Sequence, residues 1–276
     1  MKDFSDRVAA ITGAASGIGR SLGLELARRG AHLALSDVDE AGLAETAERA
    51  RRAGVEVTTA RVDVADREAV EAWAGQVVAD HGRVNLIANN AGVAVGASVE
   101  GTSYEDLEWL MGINFWGVVH GTRAFLPHLR AAGDGHVVNI SSVFGLVGIP
   151  MQSAYNAAKF AVRGYTESLR LELDIERCGV SATSIHPGGI KTNIARNARL
   201  GGGVEGMDAS PDEAVRDFEK LFITSPDKAA RQIVRAVQLD KRRALIGPDA
   251  KAIDLLSHLP VGLHQRLVAK GASRTV

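Results

Sequence analysis

Val8-Ala9-Ala10-Ile11-Thr12-Gly13-Ala14-Ala15-Ser16-Gly17-Ile18-Gly19-Arg20 is the stretch that decides the fold. Here an apolar run passes straight into a glycine-rich turn and then into Leu22-Gly23-Leu24-Glu25-Leu26-Ala27. The short apolar run predicts a buried strand, and the spacing of apolar residues after Gly19 predicts a helix. Glycines between the two allow a tight turn and close approach of a pyrophosphate, while the first N–H groups of the helix and its positive dipole end attract anions. The spacing is Gly-x-x-x-Gly-x-Gly, which differs from the Gly-x-Gly-x-x-Gly of the best-known dinucleotide fingerprint. Strand, loop, helix and second strand nevertheless follow in the order a nucleotide site needs, with Gly13, Ser16, Gly17, Ile18 and Gly19 as its candidate contacts.

Outward from this unit the same alternation repeats. Strands are predicted at Val8–Ile11, His32–Leu35, Val55–Thr58, Val84–Ile87, His136–Ile140, Val180–Ile185 and Ala244–Ile246. Helices are predicted near residues 17 to 29, 39 to 53, 66 to 81, 103 to 131, 153 to 177 and 226 to 240. Repeated βαβ units build a parallel sheet with helices on both faces, so the expected fold is α/β, a doubly wound Rossmann-type domain with seven parallel strands. Gly30, Gly54, Gly82, Gly133 and Gly179 stand where left-handed helix caps are expected. No linker and no fixed-period repeat divides the chain, so residues 1–276 read as one domain with its core at 5–248. Two segments depart from the pattern. The glycine-rich stretch at about 188–225 is too long for an ordinary loop and reads as a lid or disordered tract. The tail at 249–276 carries a helical stretch from Ile253 to Val268, interrupted by Pro260, which is expected to pack on the domain.

Composition narrows the function classes. Net charge is -1 over 276 residues, and no long basic run exists, so no nucleic acid partner is expected. Cys178 is the only cysteine, which excludes an internal disulfide and a thiolate metal site. The histidines, His136 and His186 among them, show no paired metal-ligand spacing, so no metal is expected. The N-terminus lacks a signal-peptide pattern and no long uncharged apolar stretch occurs, so a cytoplasmic protein with no membrane contact is the expectation.

Two features point to chemistry. Asp37 ends the second strand, where a carboxylate can accept hydrogen bonds from an adenosine ribose and repel a 2′-phosphate; NAD is favoured over NADP. The simpler alternative is that Asp37 caps the helix starting near Asp39. In Tyr155-Asn156-Ala157-Ala158-Lys159, the i,i+4 spacing stacks a phenol beside an ammonium group, and that cation is expected to lower the tyrosine pKa. Alone, the pair is as compatible with an ordinary helix surface.

From about residue 5 to about residue 248 the chain resembles the short-chain dehydrogenase/reductase family. The likeness rests on Thr12–Gly19, Asp63-Val64, Asn89-Asn90-Ala91-Gly92, Ile140-Ser141-Ser142, the Tyr155–Lys159 stretch and Pro187-Gly188-Gly189-Ile190-Lys191-Thr192, in family order and spacing. The resemblance implies that Tyr155 is the catalytic acid/base and that Lys159 lowers its pKa and binds the nicotinamide ribose. It further implies that Ser142 steadies the substrate oxygen and Asn114 supports a water-linked proton path. It assigns Asp63, Val64, Asn90, Ala91, Gly92, Pro187, Gly188, Ile190 and Thr192 to the cofactor. Strand alternation says only that Ser141 and Ser142 face opposite ways; the family spacing selects Ser142. For Asn114, a buried amide pinning a bend in its helix is an equal reading.

The expected activity is NAD-dependent interconversion of a secondary alcohol and a ketone, with a medium or bulky apolar substrate. Val93, Val95, Val143, Gly145, Val147, Gln152 and residues 193 to 222 would border the substrate, with Gln152 its polar contact, while Arg196 and Arg199 could approach an anionic one. An NADPH-dependent carbonyl reductase is one alternative, and a non-catalytic NAD(H)-binding sensor or scaffold is another. The family commonly pairs the helices corresponding to 103–131 and 153–177 across subunits, so a homodimer or homotetramer is implied. Trp73, Trp109 and Trp116 are read as core or subunit contacts.

Overall fold

The predicted strands pair into one parallel sheet of seven, in the order β3-β2-β1-β4-β6-β7-β9. The computed structural model describes residues 1–203 and 222–272. Its sheet consists of β1 (Val8–Thr12), β2 (His32–Asp37), β3 (Val57–Arg61), β4 (Leu86–Asn89), β6 (Gly135–Ile140), β7 (Val180–Pro187) and β9 (Arg243–Ile246). A separate two-residue pair, β5 (Val95–Gly96) with β8 (Arg199–Leu200), lies outside it. β1 pairs with β2 on one side and β4 on the other, so the strand order reverses here and a crevice opens at the carboxyl ends.

Alternation along β1 places its side chains in two cores. Ala9 and Ile11 pack with Leu22 and Leu26 of α1 (Gly17–Ala27), Leu43 of α2 (Glu40–Arg51) and Ile233 of α7 (Pro226–Gln238). Val8 and Ala10 pack instead with Val70 of α3 (Arg67–His81), Phe125 of α5 (Gly117–Ala132) and Leu169 of α6 (Ser153–Glu176). Helices therefore cover both faces, and apolar burial at about 25 cal/mol per Å² drives the layers together. All five glycines expected as caps have positive φ.

Four features depart from the sequence expectations. β3 extends through Arg61 because it is an edge strand whose outer residues are polar, which blurs the apolar pattern. β4 ends at Asn89, whose buried amide donates to Asn139 and Thr122, so polar partners replace the apolar run. The expected helix 103–131 is three pieces: α4 (Tyr104–Met111), a π-helical segment Gly112–Trp116 and α5. The tail forms α8 (Pro248–Ser257), which buries Ala250, and α9 (Val261–Ala272), which buries nothing, so only its first helix packs as expected. Trp73 is core, edge-on to Phe125 at 5.0 Å, whereas Trp116 is exposed, as are Phe160, Leu171 and Ile175 of α6. Much of the expected lid, residues 204–221, lies outside the described residues.

Candidate active site

A cleft of about 560 Å³ opens at the carboxyl ends of the central strands. Its first half is the turn between β1 and α1. Gly13 has a φ of +64°, and a Cβ there would lie 2.7 Å from the Ala91 Cα; at Gly19 a Cβ would meet the Gly13 carbonyl oxygen at 2.1 Å. Only glycine permits this stacking of loop, helix start and β4 exit. Asn90 locks it, donating its side-chain amide to the Thr12 and Gly13 carbonyls. The Thr12 hydroxyl oxygen accepts from the Asn90 and Ala91 N–H groups, a support role the sequence reading did not assign to it. Ser16 begins α1 without a side-chain cap, which leaves the helix N-terminus turned to the cleft with Gly17 and Ile18.

Asp37 lines the same half. Its carboxylate accepts from the Ala15 and Asp39 N–H groups at 2.8 and 3.1 Å, so it is anchored at the loop. Asp39, not Asp37, caps α2 by accepting from Gly42 N–H. Asp63 and Val64 form the adjoining wall, with Asp63 accepting from Ala65 N–H. Arg20 is committed elsewhere, donating to the Ala15 carbonyl and pairing with Glu45 at 2.9 Å.

The second half is built on β6, α6 and the turn after β7. Ser141 and Ser142 do face opposite ways: Ser141 donates its hydroxyl to the Lys159 carbonyl behind the site, while Ser142 lines the cleft with Tyr155. The Ser142 hydroxyl oxygen also accepts from Phe144 N–H, and an edge-on Phe144 ring lies 6.1 Å from the Tyr155 ring. Lys159 is buried one turn along α6, its Nζ 5.5 Å from the Tyr155 ring centroid and donating to the Ile140 carbonyl at 3.0 Å. Burial pushes the Tyr155 phenol up to about 12, with the nearby Ser142 hydroxyl opposing it, and burial lowers Lys159 to about 8. The expectation of a lowered tyrosine pKa is therefore not met in the chain alone. Desolvation outweighs a cation turned toward a backbone carbonyl.

Asn114 sits in the π-helical segment, fully buried. Its amide oxygen accepts from Val93 N–H at 2.8 Å and its amide nitrogen donates to the Val93 carbonyl at 2.9 Å. The side chain thus clamps the β4 exit and does not line the cleft; its amide oxygen and the Lys159 ammonium both lie near Gly92. Pro187, Gly188, Ile190 and Thr192 line the cleft, with the Thr192 methyl facing Gly17 across it.

Val93, Val143 and Gln152 border the open space as expected, but Val95, Gly145 and Val147 are buried behind it. Gly145 packs on the Lys159 carbonyl, and Val95 is held in the small sheet. Arg199 is not available to an anion: it pairs with Asp106 at 2.9 Å and stacks over Trp109 at 3.8 Å. Phe144, Asp249 and Ile253 are lining residues the sequence reading missed, whereas Phe222 lies at the end of the expected 193–222 border. Asp249 accepts from Gly189 N–H and holds the turn after β7; its one signal was Gly247-Pro248, a turn into a helix. Among the described residues no cluster of three metal-ligating side chains occurs.

The family model described as short chain dehydrogenase matches residues 7–201. A Mycobacterium tuberculosis relative, SadH, named as an oxidoreductase, is 49% identical over 99% of this chain and 98% of its own. The C alpha-dehydrogenase of a Sphingobium species is 32% identical over 86% of this chain and 79% of its own. A short-chain dehydrogenase/reductase of Burkholderia phymatum, solved with NAD, superposes with a TM-score of 0.86 at 33% identity, covering 95% of this chain and 96% of that one. Matched by the family model over most of its length and by these relatives in sequence and fold, the chain belongs to the short-chain dehydrogenase family of oxidoreductases.

Proposed function

We propose that the protein is an NAD-dependent dehydrogenase that interconverts a secondary alcohol and a ketone of medium or bulky apolar character. The observation that carries this reading is that Ser142, Tyr155 and Lys159 line one cleft, opposite a glycine loop closed by Asp37. Asp37 would accept the ribose hydroxyls, Gly13, Ser16, Gly17, Ile18 and Gly19 would hold the pyrophosphate, and Asp63 and Val64 would border the adenine. Asn90, Ala91 and Gly92 would border the middle of the dinucleotide, and Pro187, Gly188, Ile190 and Thr192 the nicotinamide. Because Arg20 is spent on Ala15 and Glu45, it does not neutralise a 2′-phosphate. When bound, NAD supplies the hydride acceptor at the carbinol carbon.

The chain's own groups manage the oxygen. Ser142 donates to the substrate oxygen and holds it against Tyr155, which takes the hydroxyl proton in oxidation and returns it in reduction. Lys159 supplies positive charge beside the phenolate and reaches the nicotinamide ribose. Asn114 acts through the backbone it clamps beside Gly92 and Lys159. Phe144, Val93, Val143, Ile253 and Phe222 give an apolar wall, with Gln152 at its edge, which suits a hydrocarbon-rich alcohol. The test is NADH formation over a panel of cyclohexanol, phenylethanol, a hydroxysteroid and a polyol, with NADH and NADPH titrated by fluorescence. Turnover of the apolar members and tighter NADH binding are expected. Preference for the polyol or for NADPH contradicts the reading.

A further inference from the structure

β7 carries a buried imidazole to which no role in the reaction has been given. His186 is fully enclosed, with Nδ1 2.9 Å from the Ser142 carbonyl oxygen and Nε2 2.9 Å from the Ser184 hydroxyl oxygen. A carbonyl only accepts, so Nδ1 carries the ring proton, and Nε2 of the neutral ring accepts from Ser184. Burial holds the ring pKa down at about 4, which keeps this tautomer neutral near physiological pH. The charged groups around it are Arg243 on β9 and Arg163 and Glu167 on α6.

The need for a side chain here follows from the end of the sheet. Ser141 N–H donates to the Ile185 carbonyl, which closes the β6–β7 ladder. β7 then reaches Pro187, which has no N–H to offer. Ser142 lies one residue beyond that ladder, and the His186 ring bonds its carbonyl. On the other side of the same residue, the Ser142 hydroxyl meets Tyr155.

We propose that His186 is a positioning residue: its Nδ1–H fixes the Ser142 backbone so that the serine hydroxyl stays on Tyr155. Because Pro187 follows it directly, the same ring ties that setting to the nicotinamide turn Pro187–Thr192. This rests on the dehydrogenase reading above.

Three variants separate positioning from packing. His186→Leu removes the donor, His186→Asn keeps an N–H near the Nδ1 position, and Ser184→Ala removes only the Nε2 partner. With NAD and the best alcohol of the panel, His186→Leu loses about tenfold or more in kcat, while KM and the NADH Kd move less than about threefold. His186→Asn recovers kcat to within about threefold of the parent, and Ser184→Ala stays near it. A folded His186→Leu protein with the parent kcat, or a loss that asparagine does not recover, overturns the proposal. If the parent oxidises no alcohol in the panel, the dehydrogenase reading fails, and the contact is read without substrate. In ¹⁵N-histidine NMR of the full chain, the resonances lost in His186→Asn should show an Nδ1–H tautomer that does not titrate between about pH 5 and 8. An Nε2–H tautomer, or a midpoint in that window, overturns it.

Discussion

Tyr155 and Lys159 are one helical turn apart in sequence and in space, yet their protonation was the part of the site least legible from sequence. The residue types and their spacing were readable because helix periodicity fixes i,i+4 neighbours. What periodicity does not convey is burial, and burial raises the phenol to about 12 and lowers the ammonium to about 8. The direction has a kinetic consequence. Oxidation needs the phenolate as proton acceptor, so its rate rises with pH by up to about tenfold per unit below the tyrosine pKa, while reduction needs the phenol and gains nothing. A pH profile of both directions checks this, and oxidation fastest in acid would contradict it. For Asp37 the sequence left a helix-cap role open, and the structure gives that cap to Asp39 two residues later.

Among the elements, β1, the glycine loop and α1 were legible in full, since apolar run, turn and amphipathic helix each leave their own pattern. The π-helical turn at Gly112–Trp116 was not, because an inserted residue in a helix changes no residue type. It turns Asn114 onto Val93, which is why that asparagine clamps backbone and does not line the cleft. α5 is held behind this turn by Phe125, which is fully buried edge-on to Trp73. Phe125→Ala should cost about 3–5 kcal/mol of unfolding free energy, read as a lower urea midpoint. A loss below about 1 kcal/mol would show that α3 and α5 are not locked by this contact. The reach of α8 into the cleft was hidden for a different reason. Asp249 and Ile253 reach the cleft only because β9 returns the chain beside β7, a pairing no local pattern reveals.

At the scale of the whole molecule, seven alternations of strand and helix made the doubly wound sheet readable, and buried polar groups inside it were invisible. His136 and His186 are held neutral by burial, at about 3 and about 4 against an ordinary histidine value of 6.5. A histidine with a depressed folded pKa contributes stability above its unfolded pKa and loses it as pH falls through the folded one. At about 1.4 kcal/mol per unit, the two together should lower the urea midpoint progressively from about pH 6.5 down to 4. His136→Gln should give a shallower fall over that window, and an identical slope would contradict this account. The sheet also brings the two half-sites together, the glycine loop from β1 and the Ser142–Tyr155 pair from β6 and α6, and the central claim is that this union moves a proton and a hydride. Tyr155→Phe removes one oxygen and leaves the ring beside Phe144. Steady-state NADH formation by this variant on the best alcohol of the panel should fall by about 10²-fold or more with NADH affinity unchanged; turnover within about tenfold of the parent would contradict the account.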